Sequence, residues 1–424
     1  MLLLRFINNL NKNVLYGSLD QSLRLVYFLG LTLFYSSKST PAQLGELSLI
    51  LIIIQFINSI SRFSLDSFII KNIIENYNKK IFFSFFSLRS IMQLIISVIA
   101  LCLVLLFVDF KLSYEILIYM LFLNYFRIHE SYEYYFKSQN NFEIIFLTRF
   151  LSVTIVILYL FFSLNIDYLA LIFVADALIL FVFLSFAYYY FNKESKKREI
   201  SFKRYFPIIK RDFKKAGILT ISFLLYILLS KMDWISIYFI GSDKDLGLYS
   251  FFSRLVEPVT AFTSVLAISY FPNLIKVNES IISLNNTVSK YLKQFSKYGM
   301  IIMILSLLVF SLIASPLINQ YYPLYENGKS VYYILSLNIF LYFISSLRSY
   351  YLILIGKSDL ILYFTIVTIV IFFPISLLLT KFGGIEGAAF SSVIYNLFYQ
   401  FLINYFNKDS FAYFRAQLIF SKKL

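Results

Sequence analysis

Long apolar runs separated by short polar connections fill nearly the whole chain. An α-helix needs about 20 apolar residues to cross the hydrocarbon core of a bilayer, and most of these runs reach that length. The pattern predicts twelve membrane-spanning helices, with ends accurate to about two to four residues. They fall at 17–36, 44–64, 81–108, 113–135, 142–163, 167–190, 216–240, 247–271, 296–318, 330–354, 359–380 and 385–406.

The connections alternate between two kinds. Connections rich in lysine and arginine alternate with connections that hold a single cation, often beside an acid. The basic set includes Lys71, Lys79, Lys80, Arg127, Lys137, the block 192–215, Lys290, Lys293 and the tail after residue 406. Basic connections face the cytoplasm in membrane proteins, and an even number of helices then places both termini there as well. This alternation predicts a multi-pass membrane protein with both termini in the cytoplasm.

Composition agrees with this class. Hydrophobic residues make up 59% of the 424 residues and charged residues 14%, whereas about 25% charge is usual in soluble domains. The mean hydropathy is +0.75. The chain has one cysteine, Cys102, and one histidine, His129, so it predicts neither a disulfide framework nor a cluster of transition-metal ligands. The sequence therefore predicts an all-α polytopic membrane protein without a metal or cofactor.

A basic block midway along the chain divides it. Two six-helix bundles, residues 1–191 and 216–424, are predicted on either side of the cytoplasmic linker 192–215. Leu44-Gly45-Glu-Leu-Ser48 and Leu246-Gly247-Leu-Tyr-Ser250 open the second helix of each half, which favours a parallel repeat with a substrate site between the halves. The linker is interpreted as lying on anionic lipids of the inner leaflet. Nucleic acid is not a predicted partner, because no reader motif accompanies these cations.

Six of the cations that fall within the apolar runs are candidates for lining a cavity. A charge at the centre of a bilayer costs about 2.5–3.5 kcal/mol on insertion scales, so it normally faces a cavity or a partner. Lys231 is the strongest candidate for a cavity-lining cation, because it lies too deep in its run to reach either surface easily. Arg24, Arg89 and Arg149 are further candidates, although a long side chain at their depth can also snorkel to the inner interface. The candidate set for a substrate cavity is Lys231, Arg24, Arg89, Arg149, Arg254 and Arg348.

Acids within the runs are fewer and are candidates for ion coupling or for structural pairing. Asp233 lies two residues after Lys231, and Asp176 has no basic neighbour in the sequence. Glu257 is three residues after Arg254, so an intrahelical ion pair is an alternative for both. Asp66, with Arg62 four residues before it, is predicted at the inner end of the second helix. The surplus of cations favours an anionic substrate group, since guanidinium groups bind phosphate oxygens in pairs.

Enzyme motifs are missing from the sequence. Gly328-Lys-Ser330 and Gly356-Lys-Ser358 look like the end of a phosphate-binding loop, but that loop needs a glycine five residues earlier, where Pro323 and Tyr351 stand. Neither H-E-x-x-H nor G-x-S-x-G occurs. No catalytic residue is predicted.

Several short motifs resemble those of the O-antigen and polysaccharide flippases of the Wzx type. This polysaccharide biosynthesis family belongs to the superfamily that includes the multidrug and toxin extrusion (MATE) transporters. The similar stretches are Met232-Asp233-Trp-Ile, Leu246-Gly247-Leu-Tyr249-Ser250, Glu257-Pro258, Phe271-Pro272, Ser64-Leu65-Asp66-Ser67-Phe68, and Phe382-Gly383-Gly384-Ile385-Glu386-Gly387-Ala388-Ala389. The resemblance extends over the whole chain in topology, although Ser64 stands where the family commonly has glycine.

The resemblance implies a flippase rather than an enzyme. Its expected substrate is an undecaprenyl-diphosphate-linked oligosaccharide, an O-antigen or capsule repeat unit, moved across the inner membrane by alternating access through a cationic cavity. Polysaccharide polymerase and chain-length proteins are further candidate partners. Two alternatives stay open: a small-molecule extrusion antiporter of the same fold, and a polytopic glycan polymerase or ligase. The short outward connections disfavour the polymerase, and the surplus of cations disfavours the antiporter.

Overall fold

The computed structural model describes residues 12–62, 79–107, 114–139, 141–162, 171–191, 217, 220–277, 281–357, 359–408 and 410–417. These residues are almost entirely helical, and no strand occurs among them. Because a bilayer offers backbone groups no water to bond, helices that satisfy their own N–H and C=O groups are the expected answer to such apolar runs. The prediction of an all-α polytopic membrane protein is confirmed.

Apolar helices of membrane-spanning length recur along the described chain. Seven are long and apolar enough to cross a membrane, and the bent pair Thr220–Ser230 and Met232–Ile240 would make an eighth crossing. Within the described residues, each of the twelve predicted runs overlaps helical structure. Some runs cover two consecutive helices, and the last two runs lie on a single long helix.

The residues described before the basic linker form seven α-helices, and the linker itself lies outside the described residues. The helices are α1 (Lys12–Lys38), α2 (Pro41–Arg62), α3 (Lys79–Phe107), α4 (Tyr114–Tyr125), α5 (Glu130–Ser138), α6 (Phe142–Phe162) and α7 (Ile172–Phe191). A 3₁₀ turn, Phe126–His129, joins α4 to α5. The predicted fourth span, 113–135, therefore changes from an α-helix to a 3₁₀ turn in its C-terminal half.

After the linker, the described part of the chain contains nine α-helices. They are α8 (Thr220–Ser230), α9 (Met232–Ile240), α10 (Asp243–Val277), α11 (Ile281–Val309), α12 (Ser315–Tyr321), α13 (Lys329–Ser345), α14 (Arg348–Leu354), α15 (Asp359–Gln400) and α16 (Phe411–Gln417). A π-helical turn, Phe310–Ala314, joins α11 to α12. The long α15 contains Gly384 at a φ of 55°, in the left-handed region that suits glycine. This turn stands between the predicted eleventh and twelfth spans.

The described helices form two compact units. The first comprises Met1–Tyr35 and Leu49–Leu224, and the second comprises Ser36–Ser48 and Leu225–Leu424. The first turns of α2 thus belong to the second unit and the remainder to the first. The domain boundaries given from the sequence, 1–191, 192–215 and 216–424, stay a prediction.

Two glycines allow helices of the second unit to touch backbone to backbone. A Cβ atom added to Gly45 would lie 2.1 Å from the carbonyl oxygen of Asp243, and one added to Gly247 would lie 1.6 Å from that of Pro41. No side chain fits at either distance. The two copies of Leu-Gly-x-x-Ser therefore pack the start of α2 against the start of α10, which positions Ser48 beside Arg254.

Candidate functional site

Two groups of charged side chains lie within the helices, one in each unit. The N-terminal charge network consists of Asp20, Arg24, Arg62, Arg89, Glu130, Glu133 and Arg149. The Lys231 site consists of Lys231, Asp233, Trp234, Arg254 and Glu257. Five of the six cations predicted to line a cavity belong to these two groups, and Arg348 does not.

One half of the N-terminal charge network is a closed ring of two arginines and two acids. Arg24 on α1 contacts Asp20 at 2.9 Å and Glu133 at 2.8 Å. Arg149 on α6 contacts the other oxygen of Asp20 at 2.6 Å and also donates to Glu133 on α5. Each guanidinium thus bridges the same two carboxylates, and the ring ties three helices together.

The other half of the network is centred on Glu130. Arg62 on α2 contacts one oxygen of this carboxylate at 2.8 Å, and Arg89 on α3 contacts the other at 2.6 Å. Arg89 also donates to the carbonyl of Arg127 at 3.2 Å. Glu130 and Glu133 are neighbours on one turn of α5, so this short helix supplies one acid to each half of the network.

Burial separates the four arginines of the network into two pairs. The side chains of Arg89 and Arg149 are 3% and 7% exposed, whereas those of Arg24 and Arg62 are 32% and 28% exposed. Four guanidinium groups face three carboxylates in these contacts, so the network keeps a small positive surplus. Arg24 and Arg62 are the members that a ligand could reach.

The Lys231 site lies at a break between two helices. The axes of α8 and α9 differ by 55°, and Lys231 lies at the bend with φ −120° and ψ 15°. Its Nζ is 2.7 Å from a carboxylate oxygen of Glu257 on α10 and 4.1 Å from the ring centroid of Trp234. A cation at this distance from an indole face is attracted by the negative electrostatic potential over the face of the ring. The lysine side chain is 15% exposed and that of Glu257 is 40% exposed.

Deeper members of the site are held by hydrogen bonds. Asp233 accepts from the hydroxyl of Tyr249, and the N–H of Trp234 donates to it at 3.0 Å. Arg254 donates to the hydroxyl of Ser48 at 3.0 Å, and its guanidinium carbon is 5.9 Å from the Trp234 ring. Both cations of the site therefore lie near the Trp234 indole. Glu257 contacts Lys231, whereas its spacing in the sequence had suggested an ion pair with Arg254 as an alternative.

The remaining predicted residues lie elsewhere. Arg348 is buried, donates to the carbonyl of Tyr399 near the end of α15, and lies over the Tyr399 ring. A cation at the carboxyl end of a helix satisfies its last carbonyls, which is a structural role. Asp176 is on α7, with one buried carboxylate oxygen that lacks a hydrogen-bond partner among the described residues. Asp66 lies outside the described residues.

Sequence reasoning missed the acids of the N-terminal charge network. Asp20 precedes Arg24 by four residues, a spacing typical of helical ion pairs, and this signal was available. Glu130 and Glu133 lie inside the predicted fourth span, but nothing local shows that arginines from other helices neutralise them. The surplus of cations in the first unit is consequently smaller than the sequence alone indicates.

Metal ligands do not cluster in the part of the chain that the structure describes: no group of three or more His, Cys, Asp or Glu side chains there could hold a metal ion. The chemistry available in both groups is the binding of charged ligands. Ammonium and guanidinium groups suit phosphate and carboxylate, and the exposed carboxylate of Glu257 suits a cation.

Comparison by sequence finds no family model and no curated protein that matches this chain. Comparison by structure finds transporters of low sequence identity. An inward-facing multidrug resistance MATE family transporter of the MOP superfamily is 14% identical, with a TM-score of 0.69 over 96% of this chain and 98% of its own. A MOP superfamily transporter from Pyrococcus furiosus, described by the reverse polarity of its binding pocket, is 13% identical with a TM-score of 0.64, over 96% and 94%.

A third similar structure is a flippase. The lipid II flippase MurJ, in an inward closed conformation, is 15% identical, with a TM-score of 0.65 over 96% of this chain and 91% of its own. At such identities the likeness concerns the fold. The chain therefore has the MATE-like fold that these transporters and this flippase share.

Proposed function

We propose that the protein translocates an undecaprenyl-diphosphate-linked oligosaccharide, such as an O-antigen or capsule repeat unit, across the bacterial inner membrane by alternating access. The observation that carries this proposal is Lys231, a partly exposed ammonium group at a break between two apolar helices. Interrupted membrane helices are common at the substrate sites of transporters, because the break frees backbone groups and allows rearrangement.

The chemistry of the Lys231 site suits a diphosphate. An ammonium group is a compact point charge that binds phosphate oxygens without a fixed geometry. Trp234 is buried and its ring packs against the ammonium group, which helps to hold the lysine in place. Arg24 and Arg62 are the reachable cations of the first unit and are further candidates for anion contacts. We propose no catalytic role for any of these residues.

The proposal includes the setting of the transporter. Both termini would face the cytoplasm, with the basic linker 192–215 on the inner leaflet, because positive connections are retained there. Membrane lipids would contact the exposed apolar helices, and polysaccharide polymerase and chain-length proteins would act on the translocated unit. The fold is shared with a protein named as a lipid II flippase, which supports a lipid-linked substrate.

A second candidate is the extrusion of small molecules, which the multidrug resistance transporter of the same fold also suggests. Glu257 favours it, because its carboxylate is 40% exposed and could bind a cationic drug. The ion-paired acids of the first unit also favour this candidate, since they neutralise most of the arginine charge that would attract an anionic substrate. The glycan polymerase draws no support from the similar structures, whose names describe transporters and a flippase.

A charge reversal at Lys231 tests the leading proposal. In a strain that lacks the protein, lipid-linked repeat units should accumulate in the inner leaflet, and the wild-type chain should restore export. Lys231→Glu should reduce export by about tenfold or more while protein levels stay unchanged, because losing about 1.4 kcal/mol of anion binding is a factor of ten.

Lys329 provides a matched control for this experiment. It is also paired with an acid, Glu326 at 3.5 Å, and its side chain is 17% exposed, close to the 15% of Lys231. Lys329→Glu should export normally. Wild-type export by Lys231→Glu would remove Lys231 from the substrate site, and drug efflux without glycan export would favour the second candidate.

A further inference from the structure

Glu257 occupies the position from which an anion would approach Lys231. Its carboxylate oxygen is 2.7 Å from the ammonium nitrogen, the distance of a charge-assisted hydrogen bond. The glutamate side chain is 40% exposed and the lysine side chain is 15% exposed, so the acid forms the more accessible part of the pair. The ammonium group has three N–H donors, but a phosphate that binds it lies close to this carboxylate, and two negative charges at such short range repel each other. The phosphate and the Glu257 carboxylate therefore compete for Lys231.

The pair differs from the buried pairs of the first unit in how easily it can open. Glu133 is 2% exposed and is surrounded by cations, with Arg24 and Arg149 in direct contact and Lys137 at 3.6 Å, so water cannot replace its partners. Glu257 has open space beside it and contacts Lys231 from another helix. When it leaves the ammonium, its charge can be solvated, and the Trp234 ring stays in contact with Lys231.

We propose that Glu257 is an internal competitor for Lys231: it neutralises the lysine in the empty transporter and is displaced when the diphosphate of the substrate binds. The inference rests on the proposed function, because it assumes that Lys231 receives an anion. It assigns to Glu257 the control of affinity, so that binding is weak enough for release on the far side of the membrane. Glu257 would thus tune the affinity of the site for an anionic substrate. In the alternative interpretation, its carboxylate binds a cationic substrate directly.

Binding of inorganic diphosphate to the purified protein in lipid nanodiscs tests this inference. Trp234 is the only tryptophan of the sequence, so its fluorescence reports binding at this site, with calorimetry as a second measurement. Glu257→Gln keeps the shape of the side chain and removes its charge. We expect it to bind diphosphate about two- to fivefold more tightly than wild type, because a competing, partly exposed ion pair is worth up to about 1 kcal/mol.

Two further variants make the outcomes distinguishable. Lys231→Met should abolish the fluorescence response, and Glu326→Gln, which neutralises the comparable acid of the Lys329 pair, should bind like wild type. Unchanged or weaker binding by Glu257→Gln, with loss of binding in Lys231→Met, would overturn the competitor role and leave the proposed function standing. Equal binding by wild type and Lys231→Met, or no binding by any of the variants, would overturn both.

A cationic probe separates the remaining alternative. Ethidium contains no anionic group, so a competitor role for Glu257 predicts that wild type and Glu257→Gln bind it equally poorly. Loss of measurable ethidium binding in Glu257→Gln would show that the carboxylate is a ligand for cations, and the competitor role would be wrong.

Discussion

The N-terminal charge network and the Lys231 site use similar side chains in different ways. In the network, Glu133 and Asp20 are each shared by Arg24 and Arg149, and helices α1, α5 and α6 are joined by these bonds. In the Lys231 site, one lysine meets one partly exposed acid at a helix break. The comparison teaches that a charge inside an apolar run has two uses, as a neutralised link between helices or as a pair that can open.

The two arrangements should respond differently to mutation. Removing one member of a buried ion pair leaves the other charge without compensation, whereas removing a partly exposed pair costs little. Stability measurements can therefore sort the charged residues before any transport assay is available. Three changes test the charged groups and the helix contact beside them, ordered from the largest expected loss of stability to the smallest.

Glu133→Gln should produce the largest loss of stability. It leaves Arg149, whose side chain is 7% exposed, without one of its two carboxylates. We expect the free energy of unfolding to fall by about 3–5 kcal/mol, the range for breaking a buried ion pair. Unfolding of the purified protein in mixed micelles with increasing denaturing detergent measures this change.

The exposed Glu386 offers a control for that experiment, and Glu386→Gln should unfold like wild type. If Glu133→Gln lost less than about 1 kcal/mol, the network would resemble exposed pairs and the contrast with the Lys231 site would disappear.

Gly247→Ala should produce the second largest loss, without any change of charge. Its Cβ would lie 1.6 Å from the carbonyl oxygen of Pro41, so the starts of α2 and α10 must separate. Forcing extra volume into a packed contact costs about 1–3 kcal/mol, and backbone atoms yield less easily than side chains. Weaker packing here should also loosen the Arg254–Ser48 bond and shift the emission of Trp234.

Gly30 is the matched glycine for that variant, because a Cβ there meets no atom within 4 Å. Gly30→Ala should be neutral or slightly stabilising, since alanine favours a helix by about 1 kcal/mol over glycine. Equal stability of both alanine variants would mean that the contact between Gly247 and Pro41 does not restrict the two helices.

The double variant Lys231→Met, Glu257→Gln should produce the smallest change. Removing both members leaves neither charge without its partner, and an exposed pair contributes about 0–1 kcal/mol. Thermal unfolding followed by Trp234 fluorescence measures the difference from wild type. A loss as large as that of Glu133→Gln would place the Lys231 pair among the structural links and would weaken its assignment to substrate binding.

The helices could be predicted well from the sequence. Each of the twelve apolar runs coincides with helical segments, because an apolar run of this length in a bilayer must satisfy its backbone internally. The sequence placed the boundary between the last two spans at 381–384, and the left-handed residue Gly384 lies there, in a conformation that glycine readily takes. Hydropathy and glycine position are local properties, so they can be read from the order of the residues.

The break at Lys231 was not predicted. The sequence indicated one continuous span over 216–240, and neither proline nor glycine stands next to Lys231 to mark a bend. At the break, Lys231 contacts Glu257, which is 26 residues away in the sequence. It also contacts Trp234, which is three residues away, and that contact depends on the local backbone conformation. The combined effect of the two contacts on the backbone cannot be read from either stretch of the chain alone.

The sequence by itself determined the membrane class, the helices and most of the charged residues that matter, because burial of an apolar run and the cost of a charge within it are local physical quantities. The tertiary structure alone decided which charges neutralise each other. Arg149 and Asp20 are 129 residues apart, and Lys231 and Glu257 are 26 apart. Coulomb interactions depend on distance in space, so only the folded chain shows that Arg24 and Arg149 share the carboxylates of Asp20 and Glu133. It also shows that Lys231 pairs with the more exposed Glu257.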